Sequence, residues 1–298
     1  MPSLKDLRDR KKSVESTRKI TSAMKMVAAA KLKRAQDQAV TARPYATAMA
    51  TMLFNLIDEV KGSGTTPKLM TGSGTDEVTL VVVLSSDRGL CGGFNNSLIK
   101  EVRLFINSKL SAGKKIKILC VGRKGRDLLR RDYGRFIIDT LTELNKPRPS
   151  FDGATSIQNK ILSLFSEGAF DQCVMVYAQF KSAMVQVPTL RSLIPFAPPS
   201  TSEIPPIESP QALKALYIYE PDEEEVLEAL LPKNLAVQIY LALLETFASE
   251  QGARMTAMDA ATRNASDMIR QLDLTYNRAR QAYITKELIE IISGAEAL

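Results

Sequence analysis

Apolar positions along the C-terminal run from about Lys233 to Gly294 recur at alternating spacings of three and four. Leu244, Phe247, Gln251, Arg254, Met258, Ala261, Ala265, Met268, Leu272, Thr275, Ala279 and Ala282 form this seam, the spacing that keeps one helix face turned to a partner helix. The run has no proline and one interior glycine, Gly252. As a helix it would span about 90 Å, more than a compact domain of this size encloses. Its seam is mostly small or flexible, with few Leu or Ile, which permits close approach but buries modest area. That predicts a partner helix and a surrounding sleeve.

From Ser3 to about Asp58 a second long helix is expected, with Ser3 capping it and Asp6 three residues on. Its stripe reads Val14, Thr17, Thr21, Met24, Ala28, Lys31, Ala35 and Gln38, small and polar like the C-terminal seam, so the two helices are expected to pair. Pro44 is expected to kink or split the first helix, because it removes an amide donor and clashes with the preceding turn. Residues 62–77 read as a flexible Gly, Ser and Thr loop.

Between the helices the periodicity changes. Residues 79–84, 117–121 and 173–178 are short β-branched runs, separated by helical patterns near 96–110, 123–131 and 156–168. Strands alternating with helices imply βαβ units with helices on both faces of a sheet. The stretch after Lys181 reads as an added strand, confined to an edge by Pro188. Residues 195–210 read as a proline-rich linker, 217–221 as another strand, and Asp222 to Glu225 as an acidic helix start. The expected fold class is α/β: a long antiparallel coiled coil of N- and C-terminal helices with an inserted Rossmann-like α/β domain. The expected division is 1–60 for the first helix, 61–77 for the loop, 78–221 for the α/β domain and linker, and 222–298 for the last helix. An antiparallel pair follows because the inserted domain returns the chain close to where it left, giving a shaft on a globular foot.

Composition narrows the chemistry. The chain has 298 residues, 45% hydrophobic and 24% charged, and its apolar runs are too short to span a bilayer. The start carries no apolar signal core, and acids interrupt its basic residues, so a cytoplasmic site is expected. Histidine is absent, which removes the commonest general base and zinc ligand. Three scattered cysteines, Cys91, Cys120 and Cys173, argue against a disulfide framework or a clustered metal site, and no cofactor is expected. Residues 1–37 hold eleven Lys or Arg against four acids, a difference equal to the whole net charge of +7. Such an arm suits nucleic acid, an anionic membrane surface or acidic loops of another protein.

Candidate sites divide between chemical and structural readings. The loop 87–94, DRGLCGGF, follows a strand and precedes a helix, where a phosphate would sit, yet it matches neither the dinucleotide nor the Walker spacing. Its alternative is a tight turn that needs glycine, including at positive φ. Cys91 could be a nucleophile near a helix start but has no histidine to pair with. The acids 222–225 could hold a divalent cation or simply open a helix. The basic helix lacks an aromatic residue before Tyr45, so nucleic-acid binding would rest on phosphate contacts alone.

Three strings then carry a resemblance: STRKITSAMKMVAAAKL (16–32), DRGLCGGFN (87–95) and YNRARQAYITKELIEIISGA (276–295). In this order, and from end to end, the chain resembles the γ-subunit family of F-type ATP synthases, in a bacterial form. The resemblance implies a rotor without a catalytic site, its helix pair inside a ring of three α and three β subunits. It further implies that the foot sits with ε on the c-ring, that membrane association runs through the Fo sector only at the cytoplasmic face of the inner membrane, and that nucleic acid is no partner. Residue by residue, it implies β contacts for Met24, Lys25, Arg280, Gln281, Thr285 and Glu287. Ile289, Ile291 and Ile292 would sit in an apolar α/β bearing, and Tyr217 and Glu220 near the c-ring. Phe94 departs from the leucine frequent in the family, and the chloroplast paired-cysteine insert is missing. A basic coiled-coil nucleic-acid binder and an enzyme built on the 87–94 loop are the rival classes.

Overall fold

A computed structural model describes residues 3–60, 67–145, 148–196 and 223–296. In chain order the elements are α1 (Leu4–Val60), a short α2 (Lys68–Thr71), β1 (Val78–Leu84), α3 (Phe94–Ser111), β2 (Lys115–Val121), α4 (Arg123–Tyr133), a 3-10 turn (Gly134–Phe136) and β3 (Ile137–Leu141). Then follow α5 (Phe151–Ser166), β4 (Gln172–Phe180), β5 (Gln186–Ile194) and α6 (Glu223–Glu296). The chain divides into two compact units, residues 1–29 with 254–298, and residues 30–253.

The larger unit is built on a five-stranded sheet of order β3-β2-β1-β4-β5, parallel throughout except that β5 runs antiparallel to β4. Alternate residues of the strands face opposite sides. Leu80, Val82, Leu84, Met175 and Tyr177 pack with Ile157 and Ile161 of α5 and with Leu235, Ile239 and Leu243 of α6. Val81, Val83, Ile118, Cys120 and Val176 pack with Leu98, Val102 and Ile106 of α3 and Leu129 of α4. Both faces are thus covered, as near-continuous apolar strands require. Burial pushes the Cys120 thiol up to about 12 and raises Cys173 as well, so both are core thiols.

β4 runs past the end of β1, and α6 takes over the backbone groups left there. The Ala178 amide donates to Thr246 Oγ1 at 3.4 Å, and Ser249 Oγ donates to the Ala178 carbonyl at 3.1 Å. Because those groups point away from β5, Pro188 opposite Ala178 occupies a position where no ladder bond is lost. Gly252 lies against the β4–β5 turn, where a Cβ would meet Ala183 Cα at 3.2 Å.

Several expectations change. Helix α1 is continuous through Pro44; α6 likewise runs through Pro232, where no break is predicted. The turns beyond each proline are held by burial: Met49, Leu53, Leu56 and Ile57 pack with Leu227, Leu231 and Val237, which outweighs one missing backbone bond. β3 lies where the periodicity predicts no strand. Helix Glu225–Ser293 contains an 18-residue window long and apolar enough to cross a membrane by length and composition, but half of that window is buried within the protein. Residues 197–210 of the expected linker and the strand expected at 217–221 lie outside the described residues.

The described end of the expected flexible loop, residues 73–77, is latched. The Asp171 carboxylate accepts from Ser73 Oγ, from Thr75 Oγ1 at 2.7 Å, and from the Glu77 and Val78 amides at 2.9 Å each. These bonds, the Ser73 hydroxyl foremost, hold its pKa well below the ordinary carboxylate range. Asp171→Asn is therefore expected to cost about 1–3 kcal/mol at neutral pH. A depressed folded-state pKa stabilises above the unfolded value near ~3.9, and the benefit disappears as pH falls through the folded value. Urea melts should show the gap between wild type and variant closing as pH falls below about 3; a gap that stays constant well below that pH would contradict the latch.

Candidate functional site

The loop after β1 lies at the switch point of the sheet, beside the end of β4, where α/β proteins usually bind ligands. Its polar groups are taken up within the chain. Asp87 accepts from the Arg123 amide at 3.1 Å and the Glu143 amide at 3.0 Å, so it places a carboxylate at the N-terminus of α4, where an anion would otherwise be favoured. Ser85 Oγ accepts from the Gly125 amide at 2.9 Å and lies 3.1 Å from the Val121 carbonyl. Asn95 donates to Ser86 Oγ at 2.8 Å and to Cys91 Sγ at 3.2 Å. Leu90 (φ 65°) and Gly92 (φ 57°) take the left-handed region, the backbone demand expected of a tight turn. Cys91 is buried rather than presented to solvent. Among the described residues no group of three or more Cys, Asp or Glu could hold a metal ion.

The smaller unit consists of the start of α1 and the end of α6. The start of α1 is closed by a reciprocal cap: Asp6 N donates to Ser3 Oγ and Ser3 N to the Asp6 carboxylate, both at 3.1 Å. Four cross-pairs define how the helices run. Arg8 donates to Tyr276 Oη at 3.0 Å, Lys11 Nζ lies 2.5 Å from Asp273, Thr21 and Thr262 hydroxyls are 2.7 Å apart, and Lys25 Nζ is 2.6 Å from Asp259. Residue numbers rise on one helix as they fall on the other, so the pair is antiparallel. Buried or half-buried seam positions are Leu7, Lys11, Val14, Arg18, Thr21, Lys25 and Ala28 on α1, and Met258, Thr262, Ala265, Ile269, Leu272, Tyr276 and Ala279 on α6.

Each expected seam is therefore displaced by one residue at a minority of its positions. Val14, Thr21, Ala28, Met258, Ala265, Leu272 and Ala279 face the partner as expected, whereas Thr17, Lys31, Met268 and Thr275 are exposed and their neighbours Arg18, Leu32, Ile269 and Tyr276 are not.

The same register sets Leu4, the first residue of α1, beside Ala279 or Arg280. Residues from Gln281 onward extend past the start of α1 by about 24 Å. Every residue from Arg280 to Ser293 is exposed, including Tyr283, Ile284, Leu288, Ile289, Ile291 and Ile292, the last four at 52%, 58%, 68% and 55%. A contiguous apolar helix end of this kind marks an interaction surface.

The residues implicated by resemblance are distributed as follows. Arg280, Gln281, Thr285 and Glu287 lie together on this overhang. Thr285 Oγ1 donates to the Gln281 carbonyl at 3.0 Å, and the Glu287 carboxylate accepts from Tyr283, raising the phenol pKa. Met24 is half-buried on α1, and the Lys25 ammonium is engaged by Asp259. Tyr217 and Glu220 lie outside the described residues. Sequence reasoning missed Arg8, Lys11, Asp259, Asp273 and Tyr276, whose signal was oppositely charged residues at heptad spacing on two helices expected to pair.

Comparison with known proteins agrees with this arrangement along the whole chain. A family model described as ATP synthase matches residues 3–298. The ATP synthase gamma chain of Mesorhizobium japonicum is 52% identical over 298 residues and that of Rhodospirillum rubrum 53% over 299, each alignment covering 100% of both chains. Among solved structures, a chain from the central stalk and c-ring of Tetrahymena thermophila mitochondrial ATP synthase superposes with a TM-score of 0.61 at 28% identity, covering 81% of this chain and 99% of its own. A chain from Euglena gracilis mitochondrial ATP synthase (OSCP/F1/c-ring) shares the fold, with a TM-score of 0.67 at 19% identity over 99% of this chain and 94% of its own. Matched over its full length by the family model and by relatives of equal extent, the chain belongs to the ATP synthase gamma-chain family.

Proposed function

We propose that this chain is the central rotor shaft of an F1Fo ATP synthase, coupling proton-driven rotation of the c-ring to conformational cycling of the catalytic β subunits. The observation that carries this reading is the exposed apolar end of α6, residues 281–293, projecting beyond the start of α1 with no partner helix beside it among the described residues. Such an end is suited to an apolar sleeve made by other subunits. Met24, Arg280, Gln281, Thr285 and Glu287 are assigned to β contacts; Ile289, Ile291 and Ile292 to the α/β bearing; Tyr217 and Glu220 to the c-ring.

An asymmetric shaft facing three like subunits makes different contacts with each, and rotation biases each in turn between open and closed states. Torque is then a difference in contact free energy around the ring. The chain itself needs no catalytic group for this, since nucleotide chemistry belongs to the ring. We assign it to the cytoplasmic face of a bacterial inner membrane, attached through the Fo sector together with ε.

The test is native mass and composition of what co-purifies with the chain, tagged in its α/β unit, from detergent-solubilised source membranes. One copy with three pairs of nucleotide-binding subunits is expected. Nucleic acid or a homodimer in place of that hexamer would overturn the reading and favour a basic coiled-coil binder.

A further inference from the structure

Hydrophobic burial alone defines the register of the helix pair poorly. The α1 seam alternates four and three, and three of its positions at heptad spacing, Lys11, Arg18 and Lys25, are cations. The facing positions on α6, Asp273, Ser266 and Asp259, fall at the same spacing in the opposite direction. Met258, Ile269 and Leu272 of α6 are large, but the α1 positions between the cations are Val14, Thr21 and Ala28, shallow partners that hold the register only weakly against a slip of one helical turn. Charge does not tolerate that slip. A displacement of one turn, about 5.4 Å, breaks both ion pairs together.

We propose that Lys11–Asp273 and Lys25–Asp259, two heptads apart on both helices, set the register of this antiparallel pair, and that Lys25 is an internal strut rather than a contact to a surrounding subunit. The second clause rests on the rotor reading; the first does not. Two further observations agree with it. Thr21–Thr262 and Arg8–Tyr276 share the ladder's offset, the two residue numbers of every pair adding to 283 or 284. The hydrogen bond from Lys25 holds the Asp259 carboxyl below its ordinary value, and that from Lys11 to Asp273 raises the Lys11 ammonium. Arg18, facing Ser266, has no such partner among the described residues, so two rungs of three carry the register.

Register is read directly by disulfide formation in the full chain. Thr21→Cys with Thr262→Cys reports the native register, and Thr21→Cys with Ser266→Cys reports a one-turn slip. The native Cys91, Cys120 and Cys173 are buried and do not compete. Each exposed pair favours its register by about two- to fivefold. Lys11→Glu with Lys25→Glu is therefore expected to lower the native-to-slipped ratio about fivefold or more, and adding Asp259→Lys with Asp273→Lys to restore it. An unchanged ratio after reversal, or failure of the fourfold swap to restore it, would overturn the ladder.

For the second clause, Lys25→Asp with Asp259→Lys is assembled into the complex. A strut predicts that ATP-driven turnover returns to within about twofold of wild type, because the pair is re-formed. Turnover that stays low while the native disulfide still forms would make Lys25 a subunit contact. Failure of the complex to assemble around the wild-type chain would contradict the rotor reading and leave the disulfide result standing.

Discussion

Gly122→Ala is expected to destabilise the α/β unit by about 3 kcal/mol or more. Gly122 joins β2 to α4 at φ 102°, and an added Cβ would stand 2.3 Å from the Ser85 carbonyl oxygen and 2.7 Å from its hydroxyl. Neither neighbour can retreat. Ser85 N donates to the Val121 carbonyl at 2.8 Å, and Ser85 Oγ accepts from the Gly125 amide, so moving the serine breaks the bonds that join β1 to α4. Backbone strain and steric overlap therefore add. Denaturant titration of the full chain checks this. An unchanged midpoint would mean that the β1 and β2 ends are looser than the hydrogen bonding indicates.

Arg280→Ala with Gln281→Ala is expected to lower ATP synthesis by the assembled complex about five- to tenfold while leaving the unfolding midpoint within about 0.5 kcal/mol of wild type. Both side chains are exposed at the point where α1 begins, and among the described residues no side-chain hydrogen bond or ion pair holds them. Their removal therefore costs the fold little. A polar contact made in only part of the rotary cycle contributes differential binding, and its loss reduces coupling instead of assembly. Proton-driven synthesis in proteoliposomes, set beside thermal unfolding, separates the two. Unchanged synthesis would remove both residues from the torque surface, and a large loss of stability would make them structural.

The α/β core was legible because buried strands announce themselves. Runs such as Val81, Val82 and Val83, or Val174 to Tyr177, leave little alternative to a sheet covered on both faces. β3 was not legible, because its residues are half-buried at an edge and lack that contrast. The helix seams are legible at every heptad's first position and only in part at the second, where Thr17, Lys31, Met268 and Thr275 are exposed. There the inward residues are Arg18 and Lys25, cations that an apolar pattern search passes over in favour of Thr17 and Met24. Thr17 is exposed, and Met24 is half-buried like Lys25.

The latch at Asp171 was invisible for a similar reason. Ser73 and Thr75 look like linker residues until a carboxylate distant in sequence gathers their hydroxyls. Proline was over-weighted at residue 44, since local propensity yields where a long helix is anchored by burial beyond the break. The candidate contact residues on α6 were legible only through resemblance. Their exposure is a structural fact, but nothing in an exposed helix end specifies which subunit covers it.

The central claim is that this chain turns within its complex, and the most direct measurement is single-molecule rotation. The complex is fixed to glass through its ring and a bead is attached to the α/β unit of this chain. The account predicts unidirectional, ATP-driven rotation in three main steps per turn, abolished when the bead-bearing chain is cross-linked to the ring. Steady ATP hydrolysis by the assembled complex with a stationary bead would contradict it.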